Sequence, residues 1–301
     1  MTVTSSVSNA VECCAWALAN TGDYILLGRP YFIAFKTAFG TRPGVNLLGV
    51  AVGTTDPFSM AAVRHYEVAY AEAKSQGLNV RALVLCSPHN LLGRCYPQLV
   101  IREYMKFCHL NGLHLICDEI YALSTWESPR MAHAAGFQSV LSMNIEDVMD
   151  PGMLHVVWDF GATGLTIGCL VSYLYNFPSS LADQVATSLL LDDESIMTYI
   201  ATNRGRLSES YRFATEFLRV HGIAYVECNA AFFVWINLRA AMKDRAATDK
   251  DILDRLQREK VYIAPGSVYA AEERGWFRMV FAHPPEVLEE GLNRMLRGIQ
   301  S

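Results

Sequence analysis

Residues 154–172 read LHVVWDFGATGLTIGCLVS: an apolar run, a turn punctuated by Gly161, Gly164 and Gly168, and a second apolar run. His155, Val156, Val157 and Trp158 form an unbroken series of β-branched and aromatic residues, which suits a strand of a parallel sheet covered on both faces. The glycines supply backbone freedom where the chain turns or approaches something closely. Residues 165–172 are apolar again, so periodicity alone reads the stretch as two neighbouring core strands with a tight connection.

Working back from this stretch, strands and helices alternate. Val7 to Ala19 has apolar residues at helical spacing after a Thr/Ser-rich lead, so Ser5, Ser6 or Ser8 is expected to cap a helix whose first amides suit an anion. Tyr24–Leu27 and Val45–Val52 read as strands, Pro57–Gly77 as an amphipathic helix, Arg81–Cys86 as a strand, Leu99–Asn111 as a helix and Leu113–Cys117 as a strand ending in Asp118. This alternation predicts an α/β fold, a mostly parallel sheet with helices on both faces. Ligands of such sheets sit beyond the carboxyl ends of the strands, where His89, Asn90, Asp118 and Tyr121 fall. Pro129–Pro151 reads as a long irregular connection.

Downstream of Asn176 the pattern changes. Ser179–Arg219 is rich in helix formers, followed by strands within Tyr225–Leu238, a helix at Asp251–Lys260, strands at Val261–Ala264 and Trp276–Ala282, and a closing helix at Glu286–Ile299. The expected organisation is a large α/β domain over residues 1–178 and a hinge helix with a smaller C-terminal α+β domain over 179–301.

The composition narrows the function classes. At 301 residues and 51% hydrophobic the chain can bury a large core. A formal charge of -5, with no Lys/Arg cluster, offers no surface for a nucleic-acid backbone. No stretch reaches the roughly 18 uncharged apolar residues of a membrane span, and Met1 to Ala10 has no signal-peptide core; a cytoplasmic protein without membrane or nucleic-acid partners is expected. The eight cysteines sit mostly within apolar runs and contain no CxxC pair, so they read as reduced core residues, with no metal site expected.

Three segments carry chemistry: Ser87 to Pro97 (SPHNLLGRCYP), Cys117 to Ala122 (CDEIYA) and Asp159 to Gly168 (DFGATGLTIG). In that order and spacing they resemble the fold-type I pyridoxal-phosphate enzymes of the class I/II aminotransferase group, closest to the fungal branch similar to 1-aminocyclopropane-1-carboxylate synthase. Gly275-Trp276-Phe277-Arg278 and Asn229-Ala230-Ala231-Phe232-Phe233 extend the likeness over essentially the whole chain. The resemblance implies that Asp118 pairs with the pyridine nitrogen of the cofactor, which makes the ring an electron sink. It further implies that Tyr121 and Asn90 hydrogen-bond the ring hydroxyl, that Tyr31 or Phe32 stacks on the ring, and that Ser6 and Ser8 belong to the phosphate-binding turn. Arg278 is expected to clamp a substrate carboxylate, Asn229 to help bind substrate, and His89 is a candidate acid/base with Asp118 and Tyr121.

The sequence departs from the family pattern where the cofactor is anchored. The family's Ser-x-x-Lys or Gly-x-Ser-Lys step is missing, because Trp158 runs directly into Asp159, and no lysine lies between Lys106 and Lys243. Without that amine the Schiff base and the usual base for the α-proton are lost. The arginine expected two residues after Gly164 is Thr166, and the family's Asn-Pro step is Asn90-Leu91, which is expected to re-aim Asn90. Met1 falls just before the phosphate turn, so the family's N-terminal arm is expected to be absent. The preferred expectation is a repurposed enzyme, with no covalently bound cofactor, acting on a small carboxylate-bearing metabolite in biosynthesis as a homodimer. The alternatives are a conventional pyridoxal-phosphate transaminase or lyase and a noncatalytic partner of an active paralogue.

Overall fold

The structure, a computed structural model, describes residues 2, 4, 6–159, 184, 185, 187, 188 and 190–300. Five strands, β1 (Tyr24–Gly28), β2 (Asn46–Val50), β3 (Val80–Cys86), β4 (His114–Asp118) and β5 (Leu154–Val157), form a parallel sheet in the order β2-β1-β3-β4-β5. Their side chains alternate between two cores, as the period of two in a strand requires. Leu26, Leu83, Leu85, Leu115 and Cys117 pack on one face with α3 (Met60–Ser75) and α4 (Gln98–Asn111). Ile25, Leu27, Ala82, Val84, Ile116 and Val157 pack on the other with α1 (Val7–Leu18) and α2 (Ala34–Gly40). The α/β architecture with helices on both faces is therefore the one the alternation predicts.

A second sheet follows α5 (Asp193–Val220). Its strands β6 (Ala224–Tyr225), β7 (Phe233–Asn237), β8 (Ala264–Pro265) and β9 (Trp276–Val280) run antiparallel in the order β6-β7-β9-β8. Val234, Ile236, Phe277 and Met279 face α5, α6 (Asp249–Arg258) and α7 (Pro285–Gln300) through Leu207, Leu218, Ile252, Leu256, Leu288 and Leu292. α6 starts on a reciprocal cap in which the Thr248 side chain accepts from the Asp251 amide and the Asp251 carboxylate accepts from the Thr248 amide, which satisfies donors that a helix start otherwise leaves open.

Two elements differ from expectation. α2 was not legible because it is only seven residues long, too short for a helical period to show. The strand expected at Val261–Ala264 is confined to Ala264–Pro265, because the Val261 amide turns back to the Leu256 carbonyl and closes α6. The glycine turn Gly161-Gly164-Gly168, the second apolar run at 165–172, Thr166 and the expected domain boundary at 178/179 lie outside the described residues. Among the described residues no helix is long and apolar enough to cross a membrane.

Candidate functional site

The sheet delivers the site through its register. Cys86, Asp118 and Val157 stand opposite one another at the carboxyl ends of β3, β4 and β5, and all three continue the face that packs on α1. Asp118 therefore projects toward the start of α1. There it lines a cavity of about 60 Å³ with Ser8, Phe32, Asn90, Tyr121 and Asp159. A smaller cavity of about 20 Å³, lined by Tyr31, Phe32, Cys86, His89 and Asn90, adjoins it between β1 and β3, where the strand order reverses and α/β sheets place their ligands. A wider hollow of about 440 Å³ between β2 and α3 is an open trough lined by Arg64, His65 and Glu72 and contains none of these groups.

Asp118 is 4% exposed. Its Oδ1 accepts from the Ile120 amide at 3.1 Å and its Oδ2 faces the Cys86 thiol at 3.8 Å. Burial pushes the Asp118 carboxyl up to about 7, the Ile120 amide pulls against that rise, and the Asp159 carboxylate adds to it. Desolvation of the buried carboxylate is the main cause. Tyr121, also buried, is held upward of its ordinary range by burial, with Cys86 and Asp118 adding to the rise, so its hydroxyl stays protonated.

Arg278 reaches this cavity's edge from β9. Its NH1 donates to Asn90 Oδ1 at 3.2 Å, and Asn90 Nδ2 donates to the Tyr121 hydroxyl at 3.1 Å. The guanidinium lies over the rings of Phe233, Tyr269 and Phe32 at 5.1, 5.1 and 5.7 Å, a set of π faces that holds a cation without neutralising it. Its Nε is buried without a hydrogen-bond partner. Among the described residues no carboxylate pairs with it.

The start of α1 is engaged from two sides. Ser6 caps it, its Oγ accepting from the Asn9 amide at 3.3 Å, as the hydroxyl-rich lead predicts. Asp159 Oδ2 accepts from the Val7 amide at 2.8 Å. Ser8 faces the cavity.

The predicted residues thus fall into groups. Asp118, Tyr121, Asn90, Ser8 and Phe32 come together around one cavity, with Arg278 bonded to its rim. Asn90 is not re-aimed away from it: the turn absorbs the leucine through a φ of 128° at Leu91, a strained value for a residue with a Cβ. Of the two aromatic candidates it is Phe32 that walls this cavity; Tyr31 lies in the neighbouring one. His89 lies there too. It is buried against Phe58 and Tyr96, and burial together with Arg94 lowers its imidazole to about 4, so it is neutral at pH 7. Asn229 stands apart: its Nδ2 donates to the Ala135 carbonyl at 3.5 Å and it lines neither cavity. Sequence reasoning missed Asp159 as a site residue. The only signal for it was the parity that Asp159 shares with Val157, two residues earlier.

Comparison with known proteins identifies the family and the fold. The family model described as aminotransferase class I and II matches residues 1–295. The probable aminotransferase aclI of Aspergillus oryzae is 30% identical over 297 residues, covering 92% of this chain and 70% of that protein. 1-Aminocyclopropane-1-carboxylate synthase 1 of Prunus mume is 29% identical over 97% of this chain and 62% of its own length. The mouse protein named probable inactive 1-aminocyclopropane-1-carboxylate synthase-like protein 2 is 30% identical over 97% of this chain and 53% of its own. The chain therefore spans between about half and 70% of the length of these relatives. Among solved structures, the Thermus thermophilus aspartate aminotransferase with maleate shares the fold at TM-score 0.78 and 21% identity, over 98% of this chain and 75% of that one. The aromatic aminotransferase of Pyrococcus horikoshii does so at 0.79 and 22%, over 98% and 77%. On the family match and the shared fold together, the chain belongs to the class I and II aminotransferase family, whose relatives here are aminotransferases and 1-aminocyclopropane-1-carboxylate synthase-like proteins.

Proposed function

We propose that this chain uses the family's cleft as a pyridoxal-phosphate-independent site that binds a small carboxylate-bearing metabolite and moves a proton on it. Pyridoxal phosphate is the family cofactor, and the residues here match it at one end only. A buried Asp118 with no Lys, Arg or His among the described residues of its cavity, and with Tyr121 and Asn90 at hand, suits a protonated ring. The opposite end does not match, since the Val7 amide at the head of α1 is taken by the Asp159 carboxylate and no lysine occurs from 107 to 242.

The observation that carries the reading is Arg278, whose guanidinium is held by one amide oxygen and three rings, with no carboxylate opposite it among the described residues. An arginine on a half-buried strand needs an anion to complete its fork, and a ligand carboxylate supplies two acceptors in the matching geometry. With the ligand so oriented, Asp118 at about 7 is poised to take or give a proton near neutrality, while the Tyr121 hydroxyl, which accepts from Asn90, keeps its own proton to donate. His89 and the homodimer expected from the resemblance belong to the same proposal, His89 as a neutral group in the adjoining cavity.

Titration calorimetry with succinate as a probe carboxylate tests this. The native chain is expected to bind it saturably, and Arg278→Gln to weaken binding at least tenfold. An unchanged affinity removes Arg278 from the site. Incubation with pyridoxal phosphate is expected to leave no visible absorption band reducible by borohydride and mapping to this cleft; such a band would restore the conventional reading.

A further inference from the structure

We propose that Asp159 is a built-in occupant of the anion seat at the start of α1, so that the cleft excludes phosphate esters and takes a phosphate-free ligand carrying a cationic nitrogen. The inference rests on the reading of this cleft as a ligand site and specifies what enters its inner end.

The seat itself is clear from the backbone. A helix start presents amide donors and the positive end of the helix dipole, and this is where proteins hold phosphate. In α1 the Val7 amide is directed to Asp159 Oδ2 at 2.8 Å, and the Asn9 amide to Ser6 Oγ at 3.3 Å. A phosphate entering here would have to displace a carboxylate already seated on the first of these donors.

Charge points the same way. The cavity wall contains two carboxylates, Asp118 and Asp159, and no Lys, Arg or His among the described residues that line it. The two carboxylates are close enough for Asp159 to oppose ionisation of Asp118. A phosphate dianion brought between them meets the Asp159 carboxylate and opposes ionisation of Asp118 further, in a partly desolvated space where screening is weak. A cationic nitrogen meets the opposite field, with the Phe32 ring as an apolar wall and the Tyr121 hydroxyl beside it. Arg278, outside this wall, remains available for an acidic group at the ligand's other end. Asp159 is thus a specificity residue: it supplies internally the negative charge that a phosphorylated ligand would bring.

Pyridoxine and pyridoxine 5′-phosphate are suitable probes, because they differ only in the phosphate and carry no aldehyde to react with surface lysines. By titration calorimetry the native chain is expected to bind pyridoxine at least tenfold more tightly than its phosphate. Asp159→Ala, which bares the Val7 amide, is expected to reverse that order and to gain saturable binding of inorganic phosphate, followed by phosphorus NMR. Asp159→Asn keeps an acceptor without the charge and is expected to fall between the two, and it serves as the test if the alanine variant does not melt cooperatively. Equal or tighter binding of the phosphorylated probe by the native chain, or no gain of inorganic phosphate in a folded Asp159 variant, overturns the proposal. Failure of both vitamers to bind the native chain overturns the ligand class. None of these outcomes involves succinate or Arg278, so failure here is distinguishable from failure of the carboxylate reading.

Discussion

At the scale of single residues the site is a question of which charges lack a counter-charge. Asp118 raises a direct expectation for stability. Its carboxyl titrates at about 7 in the fold against 3.8 for the unreorganised group, so the folded state holds its proton more tightly than the unfolded chain does. Linkage then gives the sign: Asp118 imposes no penalty below about pH 4, and the fold loses stability as pH rises from there through 7. Asp118→Asn removes the titration, and its stability relative to the native chain is expected to grow between pH 5 and pH 8 by roughly 2–3 kcal/mol, measured by urea unfolding at the two pH values. A constant difference would mean that Asp118 is already paired. These residues were unequally legible in the sequence. Asp118, Tyr121 and Asn90 lie on short segments whose spacing carried the family likeness, and the strand end brings them together. Asp159 was legible only through its parity with Val157, because its role depends on an amide 152 positions away.

At the scale of elements, periodicity carried most of the information. The two-residue alternation along β3, with Ala82 and Val84 in one core and Leu83 and Leu85 in the other, is what an unbroken apolar run in a doubly covered parallel strand means. Turns were less legible, since their conformation is imposed by what they meet. The segment between β3 and α4 shows this at Gly93, which has a φ of 58° and whose carbonyl accepts from the amides of Asn229 and Ala230. A Cβ at Gly93 would stand 2.6 Å from Cys228 Cβ and 2.8 Å from the Ala230 carbonyl oxygen, so neither neighbour is the free end of a side chain. Gly93→Ala combines a left-handed backbone with overpacking and is expected to cost about 2–4 kcal/mol and to weaken succinate binding, because Asn90 sits on the same turn. Gly136→Ala, where a Cβ meets nothing within 4 Å, is the matched control. Equal melting temperatures for the two variants would show that the turn yields freely.

At the scale of the whole molecule, the site exists only if the two sheets keep their relative position, since Asn90 and Asp118 come from the first and Arg278 from the second. That position is held by backbone as much as by side chains. The Tyr31 amide donates to the Tyr269 carbonyl at 3.0 Å, and Arg29 Nε to the Ala270 carbonyl at 2.8 Å. Two residues further on, the Glu272 carboxylate accepts from the Val52 and Gly53 amides at 3.0 and 2.9 Å. Trp235 and Tyr269 of the second sheet's surroundings pack into the core of the first, which is why the expected division at 178/179 is a proposal about cooperative units and does not imply separate bodies. Glu272 is the member of this set that can be removed without opening a core. Its two charge-assisted bonds join a loop beyond β2 to the turn leading into β9, so Glu272→Ala is expected to lower stability by about 1 kcal/mol, or about 2 °C in melting temperature. The larger effect is expected on binding: with the β9 approach loosened, Arg278 spends less time against Asn90, and succinate affinity falls severalfold. Glu290→Ala, which removes an exposed partner of Arg294 and Arg297 on α7, should leave that affinity unchanged. If Glu272→Ala melts earlier and yet binds succinate as the native chain does, the contact stabilises the fold without setting the geometry of the cleft, and Arg278 is positioned by Asn90 and its three rings without it.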